Sequence, residues 1–98
     1  MFVHCVYFWL KPDLTPAEEA LFVERARALT KISSVQQGWL GKPAATDRPI
    51  IDRSYSYGLT VLFADEAGHD AYQVDPIHDA FRELHASWTA VKIYDFEE

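Results

Sequence analysis

A chain of 98 residues is the size of one domain and leaves no room for a second core. Nearly half of it is hydrophobic (49%), with six Phe, five Tyr and three Trp; a chain this short buries proportionally little surface, so part of that apolar supply is expected to face a partner. The formal charge of −6, from 15 acidic and 9 basic residues with no basic run, argues against nucleic acid and anionic membrane, both of which need Lys and Arg to neutralise phosphate.

Phe2 to Leu10 reads as a strand, with Phe2, His4, Val6, Phe8 and Leu10 on one face and Val3, Cys5, Tyr7 and Trp9 on the other, stopped by Lys11-Pro12-Asp13. Both faces are apolar. No basic segment precedes this stretch and no small-residue cleavage site follows it, so it does not read as a signal peptide, and no run approaches the roughly 20 apolar residues of a membrane span. The single cysteine, Cys5, fits a reducing compartment, and the cytoplasm is the expected location. Among bulky apolar neighbours its thiol is expected to be inert.

Thr15-Pro16-Ala17-Glu18 supplies a capping hydroxyl, a proline at the first helical position and a glutamate that reaches back to the cap. The helix that follows is predicted to run to about Lys31, with Phe22, Ala26 and Leu29 inward and Glu19, Arg27 and Lys31 facing water. A second strand is predicted from Val35 to about Pro43, with Gly38 and Gly41 marking a bulge or close approach. A loop from Ala44 to Arg53 leads to the clearest strand, Tyr55 to Ala64. Asp65 caps a short helix from Glu66 to about Gln73, and Asp75-Pro76 starts another that is predicted to reach about Ala86. Trp88 to Phe96 is the last strand, placing Trp88, Tyr94 and Phe96 against Val91 and Ile93.

The order β-α-β-β-α-α-β is that of an α+β, ferredoxin-like domain with a four-stranded antiparallel sheet. Helices would cover one face of that sheet, and the other should then be polar. Here it is apolar, so a second copy packing sheet to sheet is expected.

Four histidines, His4, His69, His78 and His85, carry the near-neutral chemistry. No two stand at helical metal-ligand spacing, Glu66 and His69 alone do not rise above chance, and neither metal nor cofactor is expected. His78 falls in the first turn of a helix, where free N–H groups and the positive helix pole disfavour imidazolium and keep the ring neutral. Otherwise it is tied locally to Asp75 or Asp79. Tyr72, six residues earlier, is either a core residue or a second member of one cavity, brought there by the Asp75-Pro76 corner. His4, mid-strand on an apolar face, needs a hydrogen-bond partner and is either core or the third member. His69 and His85 read as solvated.

The chain resembles the stress-responsive A/B-barrel (Dabb) family over nearly its whole length. The resemblance rests on Val3-His4-Cys5-Val6, on Ser54-Tyr55-Ser56-Tyr57, on Tyr72-Gln73-Val74-Asp75-Pro76-Ile77-His78 with Phe81 a turn later, and on Val91-Lys92-Ile93-Tyr94-Asp95-Phe96. It implies ferredoxin-like chains that dimerise through their sheets into an α/β barrel. Most members have no assigned activity, but one plant member is a polyketide cyclase whose catalytic histidine and tyrosine match His78 and Tyr72. His4 matches a further pocket histidine, and the resemblance implies substrate-binding places for His4, Tyr57, Phe22 and Phe81. Asp75 stands where the family often has histidine, and Tyr57 where the cyclase has one more, so similar pocket chemistry is expected with a different substrate.

Three functions follow as expectations. In the first, a cyclase, isomerase or lyase acts on a carbonyl compound through the His78–Tyr72 pair. In the second, a non-catalytic dimer is associated with stress or binds an apolar ligand. The third, a cofactor-free or haem-degrading monooxygenase, ranks last because such enzymes often use an asparagine and this sequence has none.

Overall fold

The computed structural model describes all 98 residues. Strand β1 (Phe2–Leu10) lies at the middle of the sheet and pairs antiparallel with β3 (Tyr57–Phe63) on one side and β4 (Trp88–Glu97) on the other; β2 (Gln37–Gly41) extends β3, giving the order β2-β3-β1-β4. Helices α1 (Pro16–Leu29), α2 (Glu66–Gln73) and α3 (Pro76–Arg82) complete a ferredoxin-like α+β fold, with a single 3-10 turn at His85–Ser87 before β4.

Local chemistry fixes the helix starts. The Thr15 hydroxyl accepts from the Glu18 N–H at 3.1 Å while the Glu18 carboxylate accepts from the Thr15 N–H at 2.9 Å, so two otherwise orphaned donors are satisfied. Asp65 accepts from the Gly68 N–H at 3.1 Å and Asp75 from the Ile77 N–H at 2.8 Å. With Pro76 in its first turn, α3 departs in a new direction only two residues after α2 ends. That corner brings residues from both helices to one place.

The inward face of β1 is buried: Phe2, His4, Val6 and Phe8 stand beside Phe63, Val61, Leu59 and Tyr57 of β3. Helix α1 lays Phe22, Ala26 and Leu29 on this face, and the Arg25 guanidinium donates to the Ala80 carbonyl at 2.8 Å, tying α1 to α3. Phe8, Phe22, Phe81 and Trp88 form one aromatic cluster with ring centroids 5.2–6.2 Å apart. Each buried Phe contributes roughly 1.5–3 kcal/mol by leaving water.

Several boundaries differ from those the sequence predicts. Helix α1 stops at Leu29, where N–H groups of Thr30 and Lys31 switch to carbonyls three residues back. Strand β2 is only Gln37–Gly41 because Ile32 to Val35 is used in a turn closed by Val35 N–H on the Ile32 carbonyl. Strand β3 begins at Tyr57; Ser56 still donates to the Phe8 carbonyl at 2.7 Å. Helix α3 ends at Arg82 rather than near Ala86, and three-residue bonds such as Ser87 N–H to the Leu84 carbonyl swing the chain onto the sheet. Trp88 does not share a face with Tyr94 and Phe96. A register shift where Trp9 meets Ala90 and Leu10 meets Trp88 leaves Thr89 as the extra residue and turns Trp88 into the core. Glu19 does not face water alone, since it accepts a hydrogen bond from the Tyr57 hydroxyl at 2.8 Å.

The molecule is only 17 Å thick along its shortest axis, one sheet plus one helical layer. The other sheet face therefore has no cover, and it carries Tyr7 and Trp9 on β1 with Trp39 (55% exposed), Tyr94 (57%) and Phe96 (55%). The helices also leave the inward side of β4 open, where Val91 and Ile93 remain accessible. No helix is long and apolar enough to cross a membrane.

Candidate active site

Between the inward faces of β1 and β4 and the α2–α3 corner lies a cavity of about 200 Å³, mostly apolar, whose walls include His4, Tyr72, His78, Phe81, Val91 and Ile93. A dry cavity of roughly 150 Å³ holds benzene. A ring with a few substituents is the matching size. Gln73 and Arg82 supply its polar rim: Arg82 donates to the Gln73 side-chain oxygen and to Asp79, each at 3.0 Å.

Tyr72 and His78 meet inside this cavity, their rings perpendicular (83°) with centroids 4.8 Å apart. Asp75 spends its carboxylate on the Ile77 N–H and Asp79 on Arg82, so neither ties His78 down. Its buried Nδ1 has no hydrogen-bond partner. Burial first, and the nearby Arg82 charge second, press the imidazole pKa from 6.5 to about 4, so the ring is neutral across the physiological range. Burial drives the Tyr72 phenol the opposite way, far above its usual value, and keeps it a proton donor. One group is thus held as a free base and its neighbour as a free acid.

His4, the one polar residue of the buried core, finds its partner across the β1–β4 ladder: its Nδ1 lies 2.5 Å from Asp95 Oδ1. Burial lowers its pKa despite the hydrogen bond and the charge of Asp95, which both oppose the shift. His69 is not solvated as expected. It stacks on Phe2 with centroids 4.6 Å apart, its ring centre is 4.9 Å from that of His4, and the Gln73 amide nitrogen is 2.9 Å from its Nε2. One nitrogen each of His4 and His69 and one oxygen of Asp95 fall within 4.8 Å of one another, a set of metal-ligand type where no metal was expected. The sequence carried a signal for His69: it stands three residues before Tyr72, on the same side of α2. Asp95 needed the β1–β4 register to be found.

The other predicted residues separate. Phe81 lines the cavity. Phe22 is wholly buried behind Phe8 and Phe81 and belongs to the core. Tyr57 stands outside the cavity at the α1 side, where burial and its bond to the Glu19 carboxylate push its pKa up to about 12 and Lys42 lies 5.6 Å above its ring. His85 is exposed on the 3-10 turn, and Cys5, half-buried, lies 3.7 Å from the Thr60 hydroxyl.

A ferredoxin-like sheet with an apolar cavity under its helices defines a class of small α+β domains that fold alike and differ in chemistry. Within that class the chain belongs to the stress responsive A/B barrel domain (Dabb) family, whose model matches residues 2–98. A Dabb family protein from Mesorhizobium loti with a ferredoxin-like fold is 27% identical, with 99% of this chain and 95% of that one covered and a TM-score of 0.77. A dimeric ferredoxin-like protein of unknown function from Thermobifida fusca superposes with a TM-score of 0.76 at 20% identity, covering 97% and 88%. The hydroxynitrile lyase from Passiflora edulis superposes with a TM-score of 0.77 at 14% identity, covering 97% and 90%. No curated protein matches the sequence.

Proposed function

We propose that this chain is a homodimeric acid–base catalyst acting on a small carbonyl compound, as a cyclase, isomerase or lyase. The observation that carries the reading is the Tyr72–His78 contact inside the cavity, with both side chains in the protonation states the chemistry needs. The neutral imidazole of His78, which lines the cavity, takes a proton from the carbon α to the carbonyl, and the electron pair of that C–H bond moves to form the enolate. The Tyr72 O–H donates a hydrogen bond to the enolate oxygen, where negative charge develops in an environment that strengthens it. Returning the proton at another position isomerises the compound; attack of the enolate carbon on a second carbonyl closes a ring and gives an alkoxide that takes the proton back from His78, and the reverse cleaves. The similar fold of a hydroxynitrile lyase supports the size of frame, not the substrate.

The dimer is supported by the uncovered aromatic face and by similar proteins described as dimeric. A second copy packs on that face, closing two sheets into a barrel and leaving each cavity within one subunit.

The test needs no known substrate. Incubated in D2O with a panel of small cyclic ketones and 1,3-diketones, the protein is expected to exchange α-protons above the buffer rate, read by NMR. His78→Ala and Tyr72→Phe should each slow that exchange by about 10²–10⁴-fold if they act as base and donor. Exchange that both variants retain, or no exchange with any compound, overturns the mechanism. The apolar lining favours one second reading, a binding protein for an apolar ligand; ligand binding that persists without either side chain would support it.

A further inference from the structure

We infer that His4, His69 and Asp95 form a binding site for a divalent transition-metal ion of the zinc, cobalt or ferrous type. Their ligand atoms come from three elements, β1, α2 and β4, and converge to within 4.8 Å of one another. Two imidazoles and one carboxylate suit first-row transition metals, whereas magnesium and calcium demand sets made almost wholly of oxygen.

The distances are close to those an ion would impose. Metal bonds of about 2.0–2.2 Å place ligand atoms roughly 3–4.2 Å apart around one centre. His4 and Asp95, at 2.5 Å, would part slightly and His69 would close in. Asp95, with 37% of its side chain exposed, has the freedom to make that adjustment and leaves the ion a way in.

The surroundings hold the rings in place and leave the carboxylate unneutralised. His69 is stacked on Phe2 and braced edge-on by Phe63, and His4 stands edge-on to Tyr72. Asp70 Oδ1 lies 3.5 Å from His69 Nδ1 and the Gln73 amide nitrogen 2.9 Å from its Nε2, so an ion bound through Nε2 would displace the Gln73 amide. No Lys or Arg forms an ion pair with Asp95; its only ion-pair partner is His4. An external cation supplies the positive charge that the protein withholds.

Three protein ligands leave a coordination position open. Of the three ligands His4 alone lines the cavity of Tyr72 and His78, so the ion would sit at that edge of it. Resting on the catalytic reading above, the ion would polarise the substrate carbonyl oxygen as a Lewis acid beside the Tyr72 donor. The binding site itself does not depend on that reading.

The experiment uses the untagged full chain, stripped with chelator and titrated with Co2+ by visible absorption and with Zn2+ by calorimetry. The expected result is one ion per chain, with Co2+ ligand-field bands. His69→Ala and Asp95→Asn should each weaken binding by at least about ten-fold, as loss of even an outer partner does. His85→Ala, on the exposed turn, should bind as the parent does. Circular dichroism checks the fold, and His69→Gln replaces any variant that fails to fold. Absence of ligand-field bands, or binding that survives both ligand substitutions, overturns the inference. Metal binding without α-proton exchange leaves this site standing and ends the catalytic proposal; exchange without metal binding does the reverse.

Discussion

The sharpest test of the cavity is the titration of His78. Its pKa is pressed from 6.5 to about 4 chiefly by burial and secondarily by Arg82. Between those two values the unfolded chain holds a proton on His78 that the folded chain refuses, so stability rises with pH across this window and is lost on acidification through it. A tenfold change in proton affinity is worth about 1.4 kcal/mol, which in a sealed site would give about 3 kcal/mol; an open cavity screens the charge, and about 1–2 kcal/mol is the expected loss. His4, also lowered by burial, adds a loss of the same sign.

Urea unfolding of the parent and of His78→Gln at pH 7 and pH 4.5 isolates the His78 share. The parent should lose about 1 kcal/mol more than the variant over that interval. An NMR titration of the imidazole resonances gives the pKa directly. In Arg82→Gln it should rise but stay below 6.5, because burial is the larger cause. A His78 that titrates at its ordinary value, or identical pH slopes in parent and variant, would refute the argument that a buried neutral imidazole waits in the cavity.

Phe81→Ala removes a ring that contacts Phe8, Phe22 and Trp88 and should cost about 3–5 kcal/mol in urea unfolding; a loss under 1 kcal/mol would mean the aromatic cluster is not cooperative. At Gly38 an added Cβ would sit 2.9 Å from Thr30 Cβ and 3.0 Å from Val61 Cγ1, so Gly38→Ala should destabilise by about 1–3 kcal/mol, and a neutral or stabilising result would show that β2 is free to move off α1. Paired Tyr94→Glu and Phe96→Glu changes should give a folded monomer by analytical ultracentrifugation, while a parent that already sediments as a monomer would sink the dimer.

The alternating pattern of β1, the Thr15–Glu18 cap and the Asp75-Pro76 corner were all legible in the sequence because each is decided within a few residues. The Tyr72 and His78 pairing was legible for the same reason, since one proline corner positions both. What escaped depends on pairings between distant segments. Trp88 changes face because of a bulge against Leu10, 78 positions away, and periodicity carries no record of a bulge. Asp95 becomes the partner of His4 only once β1 and β4 are in register. Tyr57 reads as a pocket residue until α1 is docked and Glu19 takes its hydroxyl. His69 shares its side of α2 with Tyr72, and that side turns inward only once α2 is docked on Phe2 and Phe63.

The cavity is built from two kinds of element that answer to different constraints. Tyr72 and His78 sit on the α2–α3 corner, fixed by the Asp65 and Asp75 caps and by Pro76. Part of the opposite wall, Val91 and Ile93, belongs to a strand that no helix covers. Substitutions at those two positions can therefore reshape the cavity without disturbing the aromatic core or the Tyr72–His78 contact. A frame of this kind separates the part of the wall that can vary, on an exposed edge strand, from the capped corner that holds Tyr72 and His78 together, so the shape of the cavity can drift while that contact is kept.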